Sequence, residues 1–597
     1  MTDGRPTLSL SMRNRSHAVR KFAAAFANLT KLSGDEQSIL LILAVVIGIA
    51  AGGAVTIFYK TIDVVQRTVL HAATHAGLPD VLLIPVVVGL GLAACRALVH
   101  WGAGGSAGEN IPDVMYRVAV KGGVIHSVPV LVKTAAAAIV IGTGGSVGAE
   151  GPVVVLGAAA ASRIGRWLRS SPNRLRTLVG CGAAAGISAA FNAPIAGVIF
   201  GIEKILGGAG GMALAPFVVA SILAATVGRA VFGDHPVIAL PAEFGIHSGW
   251  ELLLYVALGF ITGTVAVLYS RGVWKMQDVF RRVPSAPLQV MLGAAVLGGL
   301  DFVFRADLWG HGHESLNIGV VTSRTASFLV ALALAKLIAT AVTFGAGGTG
   351  GVFTPALFIG GTLGGACGVA AGMLLPAWHV APGAVALVGM GGLVAGATHA
   401  PLTAIMMVFE MTRDYGLILP LMLTSVVAYV IARRLYPESI YTEWLVRRGV
   451  VLSHGADAAV LARTTVAECF NPEPMTLREE ADLHEIVAST SESRQTAFPV
   501  VSVDGRLVGM LGREAVREAL ENGEHIAQLL VAGDLIRGHA DRVTPEDSLL
   551  TALRRLGAND VDQLPVVDAA TGESLLGVVS RQDLMAAYER ELTKERH

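Results

Sequence analysis

The chain has 597 residues, with 45 Lys plus Arg against 45 Asp plus Glu, 53% hydrophobic residues, 15% charged residues and 71 glycines; its mean hydropathy is +0.61. A formal charge of zero offers no electrostatic footprint for nucleic acid. So much apolar side chain with so few charges exceeds what one soluble core can bury, so the chain reads as a multi-pass membrane protein in a lipid bilayer.

Residues 1–35 are basic (Arg13, Arg15, Arg20, Lys21) and lack a small-residue cleavage site, so they are expected to stay on the protein as a cytoplasmic segment. From 36 to 449 near-continuous apolar runs recur at 39–57, 81–99, 128–141, 250–269, 326–344 and 417–432, each long enough to cross or nearly cross a bilayer. Gly-Gly and Gly-Pro pairs interrupt many of them. Irregular backbone at membrane depth is tolerated where protein buries it or where it lines a cavity, which favours a transporter or channel over a passive anchor. Arg163, Arg166, Arg169, Arg174 and Arg176 crowd one loop, Arg281 and Arg282 mark another, and Arg433, Arg434, Arg447 and Arg448 flank the last apolar run. By the positive-inside rule these loops and both termini face the cytoplasm, the expected location being the cell (inner) membrane.

Cys95, Cys181, Cys367 and Cys469 show no paired spacing, and the sixteen histidines form no ligand cluster at helical spacing, so neither a disulfide framework nor a metal site is expected. No nucleophile with a base is apparent, so an enzyme is not expected. Glu150 stands apart, in Gly148-Ala149-Glu150-Gly151-Pro152 at the start of an apolar helix. A charge near the bilayer centre costs roughly 2.5–3.5 kcal/mol or more, and such residues mark ion paths and proton relays.

The apolar region repeats itself. Residues 144–157 (GGSVGAEGPVVVLG) share a plan with 347–360 (GGTGGVFTPALFIG), and 182–203 resemble 389–410, pairing Pro194 with Pro401, Glu203 with Glu410 and Glu150 with Phe353. Two halves with interrupted helices at matching places are the pattern of transporters whose site lies near the midplane. A helix start offers unpaired N–H groups and the positive end of a dipole, and so suits an anion.

With those motifs in hand, residues 36–449 resemble the CLC family of chloride channels and chloride/proton antiporters. Gly148-Ala149-Glu150-Gly151-Pro152 is similar to the family's G-[KR]-E-G-P, and Gly351-Val352-Phe353-Thr354-Pro355 to its G-x-F-x-P; Ser439-Ile440-Tyr441 carries the last-helix tyrosine, and 190–194 and 400–403 complete the set. The resemblance implies an all-α polytopic domain built as an inverted repeat of broken helices, and a homodimer with one anion pathway per subunit. It implies Glu150 as the gating glutamate, Phe353 and Tyr441 flanking the central anion, and the backbone N–H groups of Val352 and Phe353 as ligands, with Gly151 beside them.

Three positions depart from the family pattern. Ala149 stands where Lys or Arg is usual, which weakens the attraction of anions. In the stretch Gly104-Gly105-Ser106-Ala107-Gly108-Glu109-Asn110-Ile111-Pro112, a gapless match to G-S-G-I-P puts Glu109 at the family serine, so either Ser106 or Asn110 supplies the polar contact to the anion or Glu109 turns away. The acidic residue that relays protons near the cytoplasmic end of the 191–202 helix falls on Lys204, with Glu203 preceding it. A buried lysine can titrate, and a lysine at a cytoplasmic helix end can also snorkel to the interface.

After a linker at 450–465, the repeated strand-turn-strand-helix pattern of FPVVSVDGRLVG at 498–509 and of LPVVD and LGVV at 564–579 resembles a tandem CBS pair, 466–525 and 526–590, a cytoplasmic α/β module. The resemblance implies an adenine-nucleotide site using Ser580 for phosphate and Asp583 for ribose. The first repeat, with Gly512 and Ala515 at those places, lacks both residues, and the other reading of the module is a structural one with no ligand. The expected activity is exchange of chloride for protons gated by Glu150. The alternatives are a passive voltage- or pH-gated chloride channel and, more remotely, a CBS-linked divalent-cation transporter. No resident cofactor is expected beyond the nucleotide.

Overall fold

In a computed structural model the chain divides into two units, Met1–Val451 and Leu452–His597. The structure describes residues 36–595 apart from 76–79, 104–109, 209–213, 239–243, 246–248, 305–307, 311–322, 449–460, 462, 492, 494, 522–529, 537–540 and 560. The first unit opens with α1 (Glu36–His75), α2 (Asp80–Gly102), α3 (Ile111–Ala119), α4 (Ser127–Gly142), α5 (Glu150–Trp167), α6 (Pro172–Phe191), α7 (Pro194–Phe200) and α8 (Leu214–Phe232). It continues with α9 (Glu251–Arg281), α10 (Ala286–Phe304), α11 (Ala326–Gly345), α12 (Phe353–Leu374), α13 (Pro382–Thr398), α14 (Pro401–Thr412), α15 (Ile418–Leu435) and the short α16 (Thr442–Val446). Among the described residues eight helices are long and apolar enough to cross a membrane.

The sequence repeat is a structural repeat. α5 packs along α6 at Gly157, where a Cβ would lie 2.0 Å from the Gly182 carbonyl oxygen; α12 packs along α13 at the matching Gly360, 2.3 Å from the Gly389 oxygen. Only glycine lets two backbones approach that closely.

The helix read from sequence at 191–202 starts three residues later, at Pro194, and runs on past 202. α6 stops at Phe191, Asn192 turns left-handed at φ 51, and α7 starts at Pro194; His399 repeats the turn at φ 54 between α13 and Pro401 of α14. A left-handed residue ends a helix, and a proline just beyond cannot extend it but can start the next. α7 runs on into a π-helical turn, Gly201–Ile205, which carries Glu203 and Lys204.

These two short helices cap each other. Glu410 of α14 accepts hydrogen bonds from the backbone N–H groups of Ile195 (3.0 Å) and Ala196 (2.7 Å) at the start of α7. Glu203, in the π-helical turn that follows α7, accepts from the N–H (2.9 Å) and hydroxyl (2.6 Å) of Thr403 at the start of α14. Each carboxylate thus satisfies donors that the first turn of a helix leaves unpaired and meets the positive end of that helix dipole. The joint at Asn192 is further pinned by Asp234, which receives hydrogen bonds from Arg413 and Asn192; the Arg413 guanidinium holds its carboxyl below the usual range.

The second unit contains β1 (Leu477–Arg478), α17 (Leu483–Ser491), β2 (Ala497–Val501), β3 (Leu507–Gly512), α18 (Arg513–Glu521), α19 (Leu549–Asn559), β4 (Gln563–Val567), β5 (Leu575–Ser580) and α20 (Arg581–Glu595). β2 pairs antiparallel with β3 and β4 with β5, and each pairing shifts register at the same place, Val500/Val501 and Val566/Val567. The valine-rich alternation buries Phe498, Val500 and Leu511 in one repeat and Leu564, Val566 and Val578 in the other.

If the reciprocal caps hold α7 and α14 in place, Glu410→Ala strips two N–H groups of their acceptor and lowers stability by about 1–2 kcal/mol, whereas Glu410→Gln retains part of it. Thermal unfolding of the purified chain in detergent should rank wild type above Glu410→Gln above Glu410→Ala. An unchanged midpoint for the alanine variant would refute the cap.

Candidate anion site

Two loops, 143–149 and 346–352, precede α5 and α12. Gly144 and Gly347, at matching places, take φ 95 and 91, a region open to glycine at little cost. Beyond them Gly148 and Gly351 exchange both backbone hydrogen bonds, at 2.8 and 2.7 Å. The first loop is tied to α11, since the N–H of Ser146 donates to Thr343 Oγ1 (3.1 Å) and the Ser146 and Thr340 hydroxyls lie 3.0 Å apart. The second is held by Arg96, whose Nη1 donates to the Ala346 carbonyl (3.1 Å) and to Gln289 Oε1 (2.7 Å). Two helix starts distant in sequence are thereby brought face to face.

Glu150, fully buried, lies between them. The N–H of Phe353 donates to its Oε1 and the Thr354 hydroxyl donates to its Oε2 at 2.9 Å. The fit is close: a Cβ on Gly148 would lie 1.9 Å from Oε2, and one on Gly351 2.0 Å from Oε1. Phe353 packs on Phe191 with ring centroids 5.8 Å apart. The Tyr269 hydroxyl donates to the Val352 carbonyl at 2.7 Å, so Val352 presents its oxygen to Tyr269.

Tyr441, the residue preceding α16, is buried, and its hydroxyl has no hydrogen-bond partner among the described residues. Its position is locked around it: the Ser439 N–H donates to Thr442 Oγ1 (2.8 Å), the Thr442 N–H donates to Ser439 Oγ (3.1 Å), and the Ile440 N–H donates to the Ala397 carbonyl (3.0 Å). A hydroxyl so placed has a donor to offer an acceptor such as an anion. It lines a cavity of about 890 Å³ together with Asn110, Gly151 and Val352. Arg96, Lys133, Arg281, Arg447 and Arg448 line the same cavity. Arg447 is paired with Asp278 (2.9 Å) and Glu443 (2.8 Å), and Arg448 lies 3.9 Å from the Trp444 ring centre.

The structure therefore gathers Glu150, Gly151, Val352, Phe353, Tyr441 and Asn110 into one region. Ser106 and Glu109 lie outside the described residues. Lys204, buried, sits in a separate charge cluster with Glu203, Arg433 and His399, and the carboxylate of Glu203 is already engaged by Thr403. In the second unit Ser580 and Asp583 bond each other: the Ser580 hydroxyl (2.6 Å) and N–H (2.9 Å) donate to Asp583 Oδ2, and the Asp583 N–H donates back to Ser580 Oγ (3.1 Å), capping α20. Lys133, Tyr269 and Thr354 escape the sequence reading. Lys133 alone had a legible signal, a single charge within the apolar run 128–141, the feature that singles out Glu150.

The voltage gated chloride channel family matches residues 90–433, and the CBS domain family matches 466–522 and 532–590. A ClcB-like chloride channel protein of Ralstonia nicotianae is 37% identical over 422 residues, 68% of this chain and 97% of that protein. The H(+)/Cl(-) exchange transporter ClcA of Vibrio parahaemolyticus is 31% identical over 69% of this chain and 91% of its own length. A slow cyanobacterial Cl-/H+ antiporter of known structure superposes with a TM-score of 0.62 at 27% identity, covering 68% of this chain and 97% of that one. The chain belongs to the voltage gated chloride channel (CLC) family, as a multi-pass membrane protein whose helical domain is followed by a tandem CBS pair.

Proposed function

We propose that the protein exchanges chloride for protons across the membrane, with Glu150 as the shared gate. The observation that carries this reading is the seating of the Glu150 carboxylate on the Phe353 N–H and the Thr354 hydroxyl, at the joined starts of α5 and α12. A carboxylate held by neutral donors at a helix start occupies a seat that also suits another monovalent anion. Ionised, it blocks the path and competes with chloride. Protonated, it loses its charge-assisted bonds and leaves the seat open. Neutral N–H and O–H donors suit a permeating ion, which must be held weakly enough to leave.

A passive channel is the second reading, and what favours it is the place of Lys204, among Arg433 and His399, where the family pattern has a proton-relaying acid. The two readings part in a liposome. Purified protein is expected to drive proton movement when an outward or inward chloride gradient is imposed, and Glu150→Ala is expected to keep chloride flux while abolishing proton movement. Large chloride flux in the wild type with no driven proton movement selects the channel; magnesium flux without halide flux selects the cation transporter. The preferred halide is read in the same assay, because the 104–109 stretch leaves it open.

In this reading the protein is a homodimer with one path per subunit, in the cell membrane with both termini in the cytoplasm, as the arginines at 433, 434, 447 and 448 support. The CBS pair is proposed to take an adenine nucleotide at Ser580 and Asp583 in exchange for their mutual cap. Titrating the purified full chain with ATP, ADP or AMP should shift the melting of the second unit, and Asp583→Ala should remove the shift. The absence of a shift at millimolar nucleotide leaves a structural module.

A further inference from the structure

Among the described residues Thr354 is the one side chain that donates to the Glu150 carboxylate; the other donor is the backbone N–H of Phe353. It is buried, and its Oγ1 reaches Oε2 at 2.9 Å, so the two carboxylate oxygens are divided between a main-chain donor and a hydroxyl. Backbone donors come with any helix start. The hydroxyl depends on the residue chosen at this position.

We propose that Thr354 is the latch of the gate and, once Glu150 has left, a ligand of the anion that replaces it. This rests on the reading of Glu150 as the gate. The hydroxyl has a donor to offer either occupant, but not on equal terms. A carboxylate oxygen concentrates charge on a small atom and takes a short charge-assisted bond, whereas a halide spreads one charge over a larger sphere and accepts more weakly. Thr354 therefore stabilises both occupants and the carboxylate more, biasing the seat toward the closed gate. Gly148 and Gly351, which leave no room for a Cβ beside the carboxylate, make the seat tight enough for one missing bond to matter.

The two-sided role gives a reversal of sign. In a background with Glu150, Thr354→Val removes more from the carboxylate than from chloride, so chloride displaces the gate more readily. In a Glu150→Ala background no carboxylate competes, and the same change only deprives the anion of a ligand. Chloride titration calorimetry on the purified full chain should show binding about three- to tenfold tighter for Thr354→Val than for wild type, tenfold being about 1.4 kcal/mol. Glu150→Ala/Thr354→Val should bind more weakly than Glu150→Ala. Thr354→Ala should behave as the valine variant, should that fold poorly, and Thr354→Ser, which keeps the hydroxyl, should restore wild-type binding.

Effects of the same sign in both backgrounds, or none, overturn the latch, because a packing role cannot change direction with the gate; the two-by-two comparison isolates the coupling. Chloride flux through the wild type in liposomes separates the failures. If the wild type carries chloride and Thr354→Val binds it unchanged, the latch alone is wrong. If the wild type carries no halide, the gate reading falls and the latch with it.

Discussion

The pair of backbone hydrogen bonds between Gly148 and Gly351 is the constraint on which the rest of the membrane domain depends. It joins two loops 203 residues apart and sets the first turns of α5 and α12 against one another, so that donors from α12 meet a carboxylate from α5. Neither helix start could hold the charge alone. A single first turn offers a few N–H groups, and the burial of an ionised side chain near midplane demands several donors at once. The glycines fit for two reasons: a left-handed turn at Gly144 and Gly347, and no Cβ where the carboxylate lies against Gly148 and Gly351.

The same physics appears a second time in α7 and α14, with a different outcome. There too helix starts meet carboxylates, but each carboxylate is supplied by the other short helix, Glu410 to α7 and Glu203 to α14. The exchange is closed and leaves no seat for a diffusible ion. At α5 and α12 the repeat is unequal, glutamate in one half and phenylalanine in the other, so one carboxylate from α5 meets donors at the start of α12. Symmetry yields a structural clamp, and its breaking yields a proposed gate.

Much of this was legible in the sequence because it rests on residue types with few uses. Glycine before a proline-started helix, twice and at matched spacing, locates α5 and α12; Glu150 in an apolar run marks the site. The place of the break was less legible: the helix read from 191 starts at Pro194, because the left-handed turn at Asn192 separates α6 from α7. Thr354 and Tyr269 were not legible. Threonine and tyrosine are ordinary residues of membrane helices, and their roles come from what the fold sets opposite them: Oε2 of Glu150 for one, the Val352 carbonyl for the other. The capping function of Glu203 escaped for the same reason, its partner being 200 residues away.

Ala149 removes a cation from beside the seat, yet the pathway is not without positive field. Arg96, Lys133, Arg281, Arg447 and Arg448 line the cavity that reaches Tyr441, and Arg447 is paired there with Asp278 and Glu443. Charge gathered in a cavity concentrates anions and speeds their arrival over distances of several ångströms. Charge at the seat would hold them there. With neutral donors at Phe353, Thr354 and the Tyr441 hydroxyl, and cations set along the cavity wall, the proposed pathway assigns attraction and retention to different residues. That division satisfies the opposing demands on a conducting site, entry and release, without a full charge in contact with the ion.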